Sequence, residues 1–336
     1  MSSAPTREEI ARDAKWLAQA LDPSAGQVRL VAMDRDSYRA ASFLDDRMLQ
    51  APVDAQVVPW SEVEAAMDVD DRCDARWIFH IGHVGSTLVS RLLGELPGLL
   101  AIREPRLLRD LALSPPIVRE RYLPPVAKLM SRVFAEKEVA CVKATSFAGE
   151  IAPQLVPPGE RALFMFATPR NYVASILAGE NSVKESHALA AMRADRLRGR
   201  GITLPPARRD VELAAIGWAC EMTALEAAAE AMPGRRIAWA DFDIMLGDMP
   251  GELGRIARFF GFQVAEAQVH DVATGPLTAR YAKALEHDYS AALRRELIDE
   301  ATEANRAAID DSLAMLAREA EKSPLLARAL ERAGEI

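Results

Sequence analysis

The stretch WIFHIGHVGSTLVSRLLGELPGLLAIREP, residues 77–105, holds more structural information than any other part of the chain. An apolar run, Trp77–Ile81, reads as a buried strand and enters Gly82-His83-Val84-Gly85-Ser86-Thr87. A helix then starts with Leu88, Leu92 and Leu93 on its apolar face. Glycine accepts the backbone angles that turn successive N–H groups inward, and the positive end of the following helix points at the same spot. Such a turn cradles a phosphate- or sulfate-type oxyanion, and Ser86 and Thr87 add two hydroxyl donors. The nucleotide-hydrolysing form of this loop needs a lysine between its second glycine and its hydroxyl residue. Here Ser86 follows Gly85 directly.

Working outward, four more features repeat the pattern. Leu99–Ile102, Val139–Val142, Ala162–Phe166 and Ile237–Ala240 are short apolar runs, each followed by a helical pattern. Strand–helix alternation predicts a parallel sheet covered on both faces. Val211–Met232 predicts one long helix, with Trp218, Met222 and Met232 as core, and the chain beyond Phe262 reads as helical. Residues 1–76 read as an extension, with an amphipathic helix over 7–21 and apolar runs at Val28–Met33 and Val57–Trp60. Divisions at 1–76, 77–262 and 263–336 are therefore expected. Arg193–Arg209 carries six arginines, two glycines and two prolines, and predicts a solvated loop or a cationic lid closing over an anion.

The 336-residue chain is 50% hydrophobic and 27% charged, enough apolar material for a sizeable core. Its net charge of −8 is opposite to that of a typical nucleic-acid binder. Residues 1–76 hold 15 acidic and 9 basic side chains, so the rest is near neutral and no bulk field opposes a local anion pocket. Cys73, Cys141 and Cys220 form neither a C-x-x-C pattern nor a disulfide framework, and no apolar window is long enough for a membrane span. A cytoplasmic protein without bound metal is expected.

The loop and its surroundings resemble the sulfotransferases that use 3′-phosphoadenosine 5′-phosphosulfate. His83-Val84-Gly85-Ser86-Thr87-Leu88 is similar to their first signature. Ser90-Arg91-Leu92-Leu93, Pro97-Gly98 and Glu104-Pro105 follow in the order of the bacterial branch. Ala167-Thr168-Pro169-Arg170-Asn171-Tyr172-Val173-Ala174-Ser175 is similar to the second signature, and Trp239-Ala240-Asp241-Phe242 leading to Phe259-Phe260-Gly261 to a later landmark. Two positions depart: His83 stands where the family has Lys or Arg, and Ala167 where it has the arginine that grips the 3′-phosphate. Arg91, Arg280 and Lys283 are the cations considered as replacements.

The resemblance implies an α/β, three-layer P-loop NTPase-like fold with a central parallel sheet, an N-terminal extension and a helical C-terminal region. It implies transfer of a sulfuryl group from 3′-phosphoadenosine 5′-phosphosulfate to a hydroxyl or amine on a small molecule, peptide or glycan. Gly82, Val84, Gly85, Ser86 and Thr87 would then hold the donor's 5′ end, and Arg170 and Ser175 its 3′-phosphate. His83, when protonated, would stabilise the leaving group, and Glu104 would act as general base on the acceptor. Lys143 ends a buried strand, where a lysine needs an anion or a route to water, and is a further candidate contact, as is His187. Two alternatives stand beside this one: an ATP-dependent phosphotransferase with Asp241 on magnesium, and a non-catalytic nucleotide- or partner-binding module.

Overall fold

The computed structural model describes residues 4–68, 72–280 and 290–335. Five strands build a parallel sheet: β4 (Arg76–His80), β5 (Leu99–Arg103), β6 (Val139–Lys143), β7 (Arg161–Phe166) and β8 (Arg236–Asp241), in the spatial order β5-β6-β4-β7-β8. They match the five apolar runs of the sequence. Adjacent residues in β4 to β7 are buried on both faces, as in Trp77, Ile78 and Phe79, each with no exposed surface. Only a sheet covered by helices on both sides gives that pattern. The fold is thus the three-layer α/β arrangement with a phosphate-type loop after its central strand.

The chain leaves β4 toward β5 on one side and later crosses from β6 to β7 on the other. Strand order therefore reverses at β4, and in open parallel sheets the crevice at the carboxyl end of such a point takes the ligand. The helix Ser86–Gly94, which starts at the loop, has all residues from Ser86 to Leu93 buried.

The N-terminal region differs from the expected helix over 7–21. A short helix, Arg7–Arg12, starts with a Thr6–Glu9 capping box and stops at Asp13, whose backbone is extended. The next residues form β1 (Trp16–Asp22), paired antiparallel with β2 (Gln27–Ala32), which pairs with β3 (Ala55–Pro59). The turn signal prevails over the helical spacing. The Asp22 carboxylate accepts the amides of Ser24 and Ala25, and Gly26 takes φ +62°, closing a hairpin. Because β1 is buried on both faces, its apolar residues show no alternation that would separate strand from helix.

The arginine-rich segment divides: residues 201–209 form a largely exposed loop, as expected, whereas three arginines before it pack inward. Arg193 is buried beside Glu221, and Arg196 donates to the Ala112 carbonyl. Arg200 donates to the Cys220 carbonyl, Thr223 Oγ1 and Glu150. These side chains tie the helix Glu180–Gly199 to the long helix Asp210–Glu230. Beyond Phe262 the described residues are helical, and a 30-residue helix, Ala291–Ala320, packs against Pro169–Leu177. One connected set of buried apolar residues runs from Ile10 to Ala333.

Buried Arg132 fastens the N-terminal sheet to the main body, donating to the carbonyls of Ile10, Trp16 and Leu129. Arg132→Leu leaves these buried acceptors without their charged donor and is expected to cost about 3 kcal/mol. A lower urea midpoint, with early proteolysis between residues 10 and 32, checks this; an unchanged midpoint contradicts it.

Candidate active site

A cleft of about 1160 Å³ opens at the carboxyl ends of the strands. Each central element supplies part of its wall. Gly82, His83, Gly85, Ser86 and Thr87 come from the loop after β4, Glu104 follows β5, Lys143 ends β6, Ser175 comes from the helix after β7, and Phe242 follows β8.

The loop is held in a conformation that L-residues avoid. Gly82 has φ +84°, His83 +56° and Gly85 +60°. His83 is not glycine, so its left-handed backbone stores roughly 1–2 kcal/mol of strain. Gly85 is required by space as well as angle: a Cβ there would lie 1.9 Å from the Phe242 ring. Gly85 also N-caps the helix, and no side chain caps its first turn. The amide donors of that turn thus meet the cleft alongside the Ser86 and Thr87 hydroxyls. Val84 is not among the residues lining the cleft, and its side chain is fully buried in the core.

Glu104, the second non-glycine residue with a positive φ (+52°), turns its carboxylate back toward β4 and β6. Lys143 Nζ donates to Glu104 Oε1; His80 Nε2 lies 3.7 Å from the same oxygen, and Arg47 Nη2 3.8 Å from Oε2. Burial would raise the Glu104 pKa, but the Lys143 charge and the His80 contact outweigh it and hold the carboxyl well below the usual range. The expected general base is therefore a carboxylate held in its ionised form. Lys143, 1% exposed, satisfies the anion requirement set by its place at a strand end through this pair.

His80 was not singled out from the sequence, although a polar residue ending an apolar strand is the same signal that Lys143 gives. The Gly82 amide donates to His80 Nδ1 at 3.0 Å, and Nε2 lies 2.9 Å from the Ala144 carbonyl. The imidazole, held by these two partners, joins the loop to the Glu104 cluster.

The second motif is only partly in the cleft. Ser175 and Tyr172 line it. Arg170 is not among the residues lining it, and its guanidinium pairs with Asp310 of the C-terminal helix at 2.7 Å. Thr168 Oγ1 caps the helix by accepting the Asn171 amide, and the Trp218 indole donates to the Ala167 carbonyl. Arg91 lies outside the cleft, bonded to Ser42 Oγ and the Ala40 carbonyl; Lys283 lies outside the described residues. His187 pairs with Asp210 on the surface. Asp241 caps the helix Phe242–Gly247 through the Asp243 amide, and does not line the cleft.

The cation at the loop is one that local motifs could not reveal. Arg294, more than 200 residues away in sequence, donates to the His83 carbonyl at 3.3 Å and lies 3.5 Å from Asp243 Oδ1. Its guanidinium sits 5.0 Å from the Phe242 ring centre, and its Nε is buried without a hydrogen-bond partner among the described residues. A buried guanidinium donor at the cleft wall is suited to an oxyanion.

No protein-family model matches the chain, and no curated protein is significantly similar to it. Among solved structures it is similar to the sulfotransferase domain from the curacin biosynthetic pathway, at 10% identity and a TM-score of 0.42 over 68% of this chain and 89% of that one. It is similar to the sulfotransferase domain of the Synechococcus PCC 7002 olefin synthase, at 14% identity and 0.39 over 68% and 86%. Mouse sulfotransferase SULT7A1, solved in complex with PAP, gives 12% identity and 0.40 over 80% and 92%. Likeness at this level identifies neither a substrate nor an activity. No helix among the described residues is long and apolar enough to cross a membrane.

The Glu104–Lys143 pair has a signed pH consequence. A carboxyl whose folded pKa is depressed adds stability that is complete above its unfolded pKa and fades as pH falls below it. Glu104→Gln leaves Lys143 buried without a counter-charge and is expected to cost about 3–5 kcal/mol at pH 7. The gap to the wild type should narrow as the pH falls below about 4. Denaturant titrations at pH 7 and pH 3.5 check this, and an equal gap at both would contradict the assignment.

Proposed function

We propose that this chain is a sulfotransferase, taking a sulfuryl group from 3′-phosphoadenosine 5′-phosphosulfate to a hydroxyl or amine acceptor. The observation that carries the proposal is the meeting, in one cleft, of an oxyanion-type loop lacking the Walker lysine with the Glu104–Lys143–His80 cluster. Sulfuryl transfer asks for alignment and charge stabilisation more than for covalent catalysis. Residues Val84 to Thr87 would hold the donor's phosphosulfate end through main-chain amides and the two hydroxyls. Arg294, always charged, would offset negative charge on the departing phosphate, joined by His83 when protonated. Ser175, which lines the cleft with Tyr172, would meet the 3′ side of the donor.

Glu104 has a role set by its low basicity. Paired with Lys143, it does not strip a resting alcohol of its proton. As the acceptor oxygen bonds to sulfur its proton becomes acidic, and Glu104 can take it then, while the bond from sulfur to the bridging phosphate oxygen breaks. An acceptor amine needs the same late removal of a proton. Glu104 would thus act as a late base, since its low basicity lets it take only a proton already made acidic.

Two readouts test the proposal. Adenosine 3′,5′-bisphosphate is expected to raise the melting temperature of the wild type, and ATP with Mg²⁺ to raise it less. In Ser86→Ala/Thr87→Ala the bisphosphate affinity should fall about tenfold or more, since a hydrogen bond to a charged group contributes about 1.5–3 kcal/mol. A larger response to ATP with Mg²⁺ would favour a phosphotransferase, and no response to either would favour a non-catalytic module.

A further inference from the structure

A second arginine-lined cavity lies apart from the cleft, between the helix Arg35–Ala40 and the end of the loop helix. It is about 50 Å³, and Arg35, Arg39, Arg91 and Arg103 all line it, together with Glu95 and Gly94. Arg91 and Arg103 are 5% and 2% exposed. We infer that this cavity binds one tetrahedral oxyanion, inorganic sulfate or phosphate, in the fork of these four arginines.

Arg103 shows most clearly what the cavity lacks. Its Nε donates to the Ala41 carbonyl at 2.8 Å, and its Nη2 to the carbonyls of Tyr38 and Arg39. Among the described residues its hydrogen-bond partners are thus neutral oxygens at the end of a helix. They satisfy donors and interact favourably with a cation, but they do not neutralise it. Burial, with the adjacent Arg91 charge, pushes the Arg103 guanidinium down to about 9, against the opposing pull of Glu95. The cation is therefore held in a place that disfavours it, and an anion in the cavity would reverse that balance.

The acidic groups nearby are already engaged. Glu95 lies 3.4 Å from Arg39 Nε. Glu138 pairs with Arg35 and also accepts the amides of Phe134 and Ala135. Among the described residues, Glu95 is the carboxylate in the cavity lining, beside the four guanidiniums. Size selects the ligand further. A water needs about 10–15 Å³ of such space, so the cavity holds roughly three to five waters, comparable with one four-oxygen anion and too small for a nucleotide. Gly94 keeps the space open: an added Cβ would lie 2.8 Å from the Ala101 Cβ and 3.7 Å from Arg103 Nη1.

The test must separate this site from the cleft, which is also expected to take oxyanions. Arg35 and Arg39 are 49% and 62% exposed, so Arg35→Ser/Arg39→Ser removes half the fork with little burden on the core. The probes are inorganic sulfate and inorganic phosphate, titrated separately against chloride at matched ionic strength, read as melting temperature and by calorimetry. Wild-type protein is expected to show saturable binding. Affinity should drop about tenfold in the arginine double variant and persist in Ser86→Ala/Thr87→Ala. Persistence of the full response in the arginine variant, its loss in the loop variant, or its absence from the wild type would each overturn the inference. Because the loop variant reports on the cleft separately, failure of the sulfotransferase assignment would not be confused with failure of this site.

Discussion

The constraint on which the rest depends is the absence of a side chain at Gly85. The Phe242 ring, delivered by the turn after β8, occupies the space where a Cβ would sit, and Arg294 lies against that ring. One position therefore joins the central strand, the far edge strand and the C-terminal helix. Ala at 85 would push out the ring, force a left-handed backbone on an L-residue, and loosen the cation that stands beside the loop. The shape of the loop is thus set by tertiary packing as much as by its own glycines.

The second determinant is electrostatic. Glu104 and Lys143 sit where two neighbouring parallel strands end, and the Glu104 amide donates to the Lys143 carbonyl at 2.8 Å, so main chain and side chains are joined together. His80 links the pair to the loop through the Gly82 amide. Phe43 and Arg47 come from the N-terminal region, with Lys143 Nζ 5.7 Å from the Phe43 ring centre. The extension is thereby part of the cleft wall. Its sheet is anchored by Arg132, whose donors reach residues more than 100 positions away in sequence. Cleft and extension share these contacts, and a change in the anchor should be felt at the site.

Much of this was legible in the sequence where the physics is local. The five parallel strands are continuous apolar runs bounded by polar residues, and the loop combines glycine with hydroxyls at a strand–helix junction. Gly82, His83, Gly85, Ser86, Thr87, Glu104, Lys143 and Ser175 all line one cleft. The misreadings have specific causes. Residues 16–22 are buried on both faces, so their pattern did not distinguish strand from helix, and the Asp22–Gly26 turn decided the outcome. Arg170 fits its motif by spacing, yet its partner in the fold, Asp310, lies 140 residues on. Arg294 belongs to no local motif and becomes part of the site only because the C-terminal helix folds back over the loop. Arg193, Arg196 and Arg200 looked like surface charge because their partners, Glu150, Glu221 and the Cys220 carbonyl, lie far off in the chain.

The most direct test of the central claim is a crystal structure of the chain with adenosine 3′,5′-bisphosphate. The account predicts a 5′-phosphate within hydrogen-bond distance of the main-chain amides of residues 84–87, in contact with Ser86 and Thr87 Oγ atoms and within reach of Arg294. A nucleotide seated elsewhere, or a 5′-phosphate turned away from this loop, would contradict it.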